Sequence, residues 1–513
     1  MKKRVYLQVF IVAAAVVLFY LGGSSSGSLI WDYPETKKSE VVDDYHGTMV
    51  ADPYRWLEDA DSNDTRAWVD KQNSLTQEYL SEVDAKDEIR ETVTRLWNYE
   101  RYSPVYKKAG KYFYWRNAGL EDQAVYYMKE SLEGRGRVIL NPNVMSEDGT
   151  VAVNNTTLSH DAKYMAYAVT RSGSDAQEVR VRNLETGEDL EDKLGFTRFV
   201  SIAWKPDNSG FFYNRFPDPS TVSAEDRFNY SRVYFHKLGD EQSEDKLVYE
   251  NPDDKLLGFR PFSSPDGEYL FLHVSKGTDP KNRLYYREMD SEGEFVKLIE
   301  EADARYDFIN NIGGVFYLLT DLEAGRFRVV SIDSNNPEAG FKEVIGEPED
   351  RDVIDNVSLI NKRLVVQVMH DVHHELKIYD LEGNFVKKLD TPTIGTTGGV
   401  NGKKDESEML FAFASYLSPN TNYRYDFESS ELSIVNKPEV KFEGGKYETR
   451  QVFYSSKDGT KIPMFIVCRK GLELDSGNPT ILYGYGGFNI SLRPGFSVSV
   501  ASWLEMGGVY AVA

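Results

Sequence analysis

Between Glu100 and Phe442 the sequence carries a loose repeat that restricts the fold more than any other feature. Ser159-His160-Asp161-Ala162-Lys163-Tyr164 precedes the apolar run MAYAV. Lys205-Pro206-Asp207-Asn208-Ser209-Gly210 leads into FFYN, and Ser264-Pro265-Asp266-Gly267-Glu268-Tyr269 precedes LFLHV. Further Gly-containing turns recur at Glu185-Thr186-Gly187, Ser291-Glu292-Gly293 and Leu381-Glu382-Gly383-Asn384. Tyr112-Phe113-Tyr114-Trp115 and Val125-Tyr126-Tyr127 flank another turn and read as a hairpin. A turn, a strand and a second turn every 40–60 residues or so is the pattern of a β-propeller blade. The stretch of about 340 residues holds seven blades of about 50 each. One blade cannot bury both of its faces, so blades must stack in a ring. The 33 Tyr and 27 Phe suit such strands.

The flanks differ. Lys2-Lys3-Arg4, an apolar run from Val5 to Leu21 broken only by Gln8, and a small-residue stretch from Gly22 to Ser28 follow the order of an export signal. Residues 1–30 are therefore read as a signal peptide or signal anchor with a spacer. The body is expected to be exported, periplasmic or extracellular, and either secreted or anchored to the membrane by this segment. Gly23-Ser24-Ser25-Ser26-Gly27 matches G-x-S-x-G, but no strand precedes it and no helix follows, so it reads as spacer. Residues 31–99 form an arm dense in Asp, Tyr, Trp and Pro, with His46 as a structural histidine. Two helices follow. Asp64 or Thr65 is expected to cap the first, with Trp68, Leu75, Tyr79 and Val83 on its core side. Ile89, Val93, Leu96 and Trp97 form the stripe of the second.

From residue 443 to 513 a hairpin is followed by strand, helix and strand, the opening of an α/β sheet. Its centre is PTILYGYGGFN, Pro479 to Asn489. Thr480-Ile481-Leu482-Tyr483 reads as a buried strand, and the three glycines after it allow a tight turn close to a ligand. In a hydrolase-like sheet such a loop builds half of an oxyanion hole; the bland alternative is an ordinary turn. The last strand stops without a neighbour, and the chain is expected to be cut short.

Other features exclude more than they suggest. Lys+Arg 60 against Asp+Glu 82 gives a net charge of −22, which argues against nucleic acid as a partner. The one cysteine, Cys468, excludes an internal disulfide and reads as a small core residue in a strand. His370, His373 and His374 have metal-like spacing, but strand alternation sends neighbours to opposite faces, so no metal is expected. Asp43-Asp44 and Asp253-Asp254 read as solvated loop acids. Thr391 to Lys404, rich in Gly and Thr, reads as a long loop between blades.

Several stretches together resemble the prolyl oligopeptidase (prolyl endopeptidase) family of serine peptidases. They are DDYHG at Asp43–Gly47, DPYRWLED at Asp52–Asp59, W-V-x-x-Q-N at Trp68–Asn73 and D-P-x-N-R-L at Asp279–Leu284. Also matching are SYLSP at Ser415–Pro419, SKDGTKIPM at Ser456–Met464 and LYGYGGFNIS at Leu482–Ser491. The resemblance implies a seven-bladed β-propeller inserted in an α/β-hydrolase domain, of which only the first part is present: residues 31–99, the propeller at 100–442, and the start of the catalytic domain at 443–513. It implies an endopeptidase that cuts short peptides on the carboxyl side of proline, with the propeller limiting access, no cofactor and a monomeric state. Carried over by motif, Tyr485 is the side-chain oxyanion donor, Phe488 lines the proline pocket and Phe199 reaches that cavity from the propeller. Ser275 and Thr278 stand where relatives can carry arginine and cysteine. The family's nucleophile serine, aspartate and histidine match nothing in this chain, which is expected to lack peptidase activity by itself. Two alternatives stay open: a catalytically empty propeller that binds peptides or a partner, and an oligopeptidase specific for basic residues.

Overall fold

The computed structural model describes residues 32–349 and 351–513, so the export segment and its spacer lie outside the described residues. Seven antiparallel sheets of four or five strands follow one another along the chain at 101–140, 151–198, 202–249, 257–299, 306–345, 352–389 and 396–436. They are blades 1 to 7. The first strands of successive blades lie against each other, which places them around the axis of a ring.

The burial pattern explains why these sequences make blades. The second strands are apolar on both faces, because each face is covered by a neighbouring sheet. Tyr164–Arg171, Gly210–Arg215 and Glu408–Ser415 are buried almost throughout. The fourth strands are largely exposed, as in Lys246–Tyr249 and Phe385–Leu389. Side chains of adjacent blades share one core: Phe271 and Leu284 of blade 4 pack with Phe316 and Leu318 of blade 5. Each such fully buried side chain stabilises the stack by about 2 kcal/mol.

The repeated aspartates sit in the turns joining first and second strands of blades 2, 3 and 4. The Ser159 hydroxyl donates to Asp161 at 2.7 Å, and Asp161 accepts from the Lys163 N–H at 2.9 Å. Ser264 and Asp266 repeat the bond at 2.7 Å, and Asp207 accepts from the Ser209 N–H at 3.0 Å. The carboxylate satisfies turn amides that no strand can reach.

Blade 7 corrects one expectation. Thr396–Gly402, read from its composition as a loop, is the first strand of that blade. Its glycines are steric necessities. A Cβ on Gly399 would lie 2.2 Å from Pro104 of blade 1, and one on Gly402 would lie 2.6 Å from the Glu408 carbonyl oxygen. The joint between blades 7 and 1 is made by side chains: Asn401 donates to the Val105 carbonyl at 2.8 Å and Asn422 to that of Ser103 at 2.9 Å. Lys107 of blade 1 bridges Glu406 at 2.8 Å and Glu408 at 3.1 Å.

The arm contains a short hairpin, Val42–Tyr45 with Thr48–Ala51, turning at His46-Gly47 with φ of 56° and 90°. Asp43 and Asp44 thus lie in a strand rather than a loop; Asp43 pairs with Arg55, and Asp44 accepts from the Gly47 N–H at 2.6 Å. Helix α1 (Asn63–Ser81) is capped by Ser62, two residues ahead of Asp64 and three ahead of Thr65, and its only buried residue is Thr65. Its expected core stripe is half-buried. Helix α2 (Lys86–Trp97) buries Val93 and Leu96 against Ala501 and Leu504 of α3 (Val498–Glu505). The same core holds Phe465, Val467 and Val512 of the last sheet and Tyr416 of blade 7. In that sheet Tyr447–Ser455 pairs with Lys461–Arg469, which pairs with Val509–Val512, and Thr480–Tyr483 runs parallel to Val509–Val512 at the edge. Cys468 is fully buried there. Thr480–Tyr483, read as a buried strand, is instead mostly exposed, with Leu482 at 67%. An edge strand has only one neighbour, so apolar composition alone does not cover it.

Candidate functional site

The Gly-rich loop leaves the carboxyl end of Thr480–Tyr483, where open α/β sheets present their ligands. Gly486 has φ of 69°, a left-handed conformation that costs glycine little. Phe488 and Asn489 follow at 51° and 54°, and the Ile490 N–H closes the turn on the Gly487 carbonyl at 3.1 Å. A Cβ on Gly487 would lie 3.1 Å from the ring of Tyr485, so the glycine leaves room for that ring. Tyr485 is 51% exposed and Phe488 is 80% exposed. A phenol and an apolar ring thus stand unscreened on one short loop.

The loop is tied to the propeller on its far side. Arg493 donates to Asp355 of blade 6 at 2.6 Å and to Nε2 of His374 at 3.0 Å. Nε2 of His374 also lies 3.2 Å from the Asp355 carboxylate, and its Nδ1 lies 3.0 Å from the Thr397 carbonyl oxygen. Burial opposes the Asp355 charge, but His374 and Arg493 outweigh it and hold this carboxyl below its usual range. Leu492 and Phe496 pack on the core shared by α2, α3 and the last sheet. Gln451 adds a bond to the Asp371 carbonyl at 2.6 Å. Arg493 was not singled out from the sequence, although it is the only charged residue between Thr480 and Leu504.

Asp355 lies near the start of the first strand of blade 6, and Phe199 stands just before the first strand of blade 3. Because these strands run the same way along the axis, both residues belong to the propeller face that carries the last sheet. Phe199 has φ of 47° and is 55% exposed. Its neighbours hold it: the Val200 N–H donates to Gln177 at 2.8 Å and the Ser201 N–H to Asn214 at 2.7 Å. The Arg198 guanidinium lies 4.8 Å from its ring centre and pairs with Asp175 at 2.6 Å. Phe199 and Ser275 line a cavity of about 290 Å³ together with Phe216, Phe228, Arg260 and Gly277. Thr278 is exposed outside it, and neither Tyr485 nor Phe488 is among its lining residues.

The histidines serve structure. His160 bonds the Trp204 carbonyl at 3.2 Å, and His370 bonds Asp352 at 2.6 Å. His236 is fully buried between Asp192 of blade 2 at 2.9 Å and Asp245 of blade 3 at 2.7 Å. Burial disfavours its charge, yet the two carboxylates outweigh this and push its pKa up to about 9. Nothing in the local sequence around His236 announces this, since Asp192 lies 44 positions back in blade 2. His370 and His373 meet edge to face with ring centres 5.5 Å apart while His374 bonds Thr397, and among the described residues no group of three or more His, Cys, Asp and Glu could hold a metal.

The profile of the prolyl oligopeptidase N-terminal β-propeller domain matches residues 33–438. The chain belongs to the prolyl oligopeptidase family. A prolyl endopeptidase of Elizabethkingia meningoseptica is 36% identical over 505 residues, covering 98% of this chain and 71% of the relative. Prolyl oligopeptidase A of Amanita bisporigera is 32% identical, covering 96% and 70%. Among solved structures, prolyl oligopeptidase B from Galerina marginata, bound to a 25mer macrocyclization substrate, superposes with a TM-score of 0.86 at 30% identity, covering 94% of this chain and 71% of that one. The seven blades and the α/β sheet are thus the architecture of this family, with the hydrolase domain represented by its first part.

Proposed function

We propose that this chain supplies the recognition side of a serine endopeptidase acting on the carboxyl side of proline in short peptides. The observation that carries the proposal is the exposed pair Tyr485 and Phe488 on one Gly-rich loop at the carboxyl end of a parallel strand. A phenol held on such a loop can donate a hydrogen bond to the oxyanion that forms on a scissile carbonyl. Phe488 gives a proline ring an apolar platform, and Phe199 approaches from the propeller. The arm at 31–99 and the segment 443–513 frame the blades as parts of one catalytic domain, and the ring limits entry to small peptides. The basic and apolar start of the sequence supports export, free or membrane-anchored.

Catalysis needs more than this chain offers. Among the described residues no histidine hydrogen-bonds a serine hydroxyl or Cys468, and the histidine that does reach a hydroxyl, His374 at 3.1 Å from Thr397, is buried with it. That same observation favours a second reading, a propeller that binds peptides without cutting them. Two measurements on the purified chain test the proposal. A fluorescent proline-containing peptide should bind, and a fluorophosphonate probe should leave the chain unlabelled. Absence of binding would remove the recognition role, and covalent labelling would show a nucleophile that the geometry does not contain.

A further inference from the structure

We infer that the cavity beside Phe199 is a carboxylate-preferring subsite whose selecting residue is Arg260, so that acidic peptides are favoured over neutral ones. This rests on the peptide-binding proposal above and narrows its substrate class.

Four cations line the cavity: Arg198, Lys255, Arg260 and Lys276. No carboxylate lines it, although the chain carries a net charge of −22. Three of the four are already neutralised from outside the wall. Arg198 pairs with Asp175 at 2.6 Å, Lys255 with Asp226 at 2.7 Å and Lys276 with Asp254 at 2.7 Å. Arg260 has no such partner among the described residues. It lies on Leu257–Ser263, where Leu257, Phe259 and Pro261 are buried in the core and Gly258 and Arg260 face the other way. Gly258 pairs across the sheet with Ser275, and both are small lining residues, so the wall beside Arg260 is low. Opposite Arg260 stands His273, whose pKa is pushed down first by burial and then by the arginine itself. It is a neutral neighbour at pH 7 and offers no counter-charge.

An unpaired guanidinium in open water gains little from a carboxylate. Here the rings of Phe199, Phe216 and Phe228 form part of the wall, and a bound peptide displaces water from the rest. Apolar walls focus the field of the free cation on whatever enters. The planar guanidinium also matches a carboxylate with two parallel N–H donors. The carboxylate has two possible sources, an acidic side chain or a free carboxyl terminus.

Four fluorescent peptides separate the sources: a Glu-Ala-Pro and a Gln-Ala-Pro sequence, each as the free acid and as the amide. Anisotropy with the purified chain should show an acid advantage of about tenfold, the value of one charge-assisted contact. If the advantage follows Glu over Gln, the side chain is the source; if it follows acid over amide, the terminus is. In either case Arg260→Gln should abolish it, and Arg260→Lys should keep part of it. Arg135→Gln, an exposed cation of blade 1, should leave it intact. Circular dichroism of each variant checks the fold. Equal binding of acidic and neutral peptides, or an advantage that survives in Arg260→Gln, overturns the inference while leaving peptide recognition standing. No binding of any of the four overturns both.

Discussion

Phe199, on the propeller, and Tyr485, on the loop of the last sheet, are held in opposite ways. Phe199 is an exposed ring on a fixed base. The two amides after it are hydrogen-bonded, Arg198 covers its ring, and the blade 2–3 joint beneath is locked by a buried His236 between two aspartates. Tyr485 is exposed to a similar degree, but among the described residues its loop has a single turn hydrogen bond of its own, and its ties, the Arg493–Asp355 pair and the packing of Leu492 and Phe496, come only several residues later. The propeller side is pre-organised, whereas the loop side can be rearranged at little cost. Under the function proposed above, peptide recognition would be settled before the oxyanion donor is placed.

The largest effect should come from the locked side. His236→Ala leaves Asp192 and Asp245 buried without their cation, which should cost about 3–5 kcal/mol in denaturant unfolding. A loss much below this would mean that the joint is less fixed than its geometry implies. Next, Tyr485→Phe removes the proposed oxyanion donor. In a chimera that joins residues 32–513 to the remaining part of the Elizabethkingia meningoseptica relative, kcat should fall about 10²-fold with KM little changed. An equal fall in a Phe199→Ala chimera would erase the distinction between the two sides.

A third effect is a pH dependence. The folded-state pKa of His236 is raised from its ordinary 6.5 to about 9. Its stabilisation is therefore complete below about pH 6.5 and is lost as pH rises through about 9. The denaturation midpoint of the wild type should fall across that window, and the His236→Ala profile should be flatter. The smallest effect belongs to the loop. Arg493→Ala breaks a half-exposed pair, so global stability should change by about 1 kcal/mol or less. Proteolysis near Gly486 should nonetheless become faster, because the tether and not the global fold protects the loop. Unchanged cleavage would show that Leu492 and Phe496 alone hold it.

The propeller was legible because its turns use side chains that act locally. Asp161, Asp207 and Asp266 bond amides within a few residues, so the turn chemistry is written in adjacent letters. Blade 7 was misread because Thr396–Gly402 is shaped by contact rather than propensity: its glycines answer to Pro104 and Glu408, which lie elsewhere in the sequence. The exposure of Thr480–Tyr483 was hidden for a related reason, since composition does not say which strand lies at an edge. At the site, the motif around Tyr485 and Phe488 was plain. The partner of Arg493 and the Asp192 partner of His236 were not, because these bonds join residues 138 and 44 positions apart in the chain.

The joint between blades 7 and 1 has one further consequence. No strand is exchanged across it, so the ring is a bent row whose two ends meet at a seam. The contact of Asn401 with Val105 spans 296 positions in the chain. Contacts so remote in sequence are entropically expensive to close and are expected to form late in folding. Directly above the seam, Tyr99, which precedes blade 1, and Tyr416 of blade 7 are buried in one core with Phe465, Ala501 and Leu504. That core acts as a clasp on the two ends of the row. Whatever tightens the last sheet should also shut the seam, and a chain ending before Tyr447 would leave it free to gape.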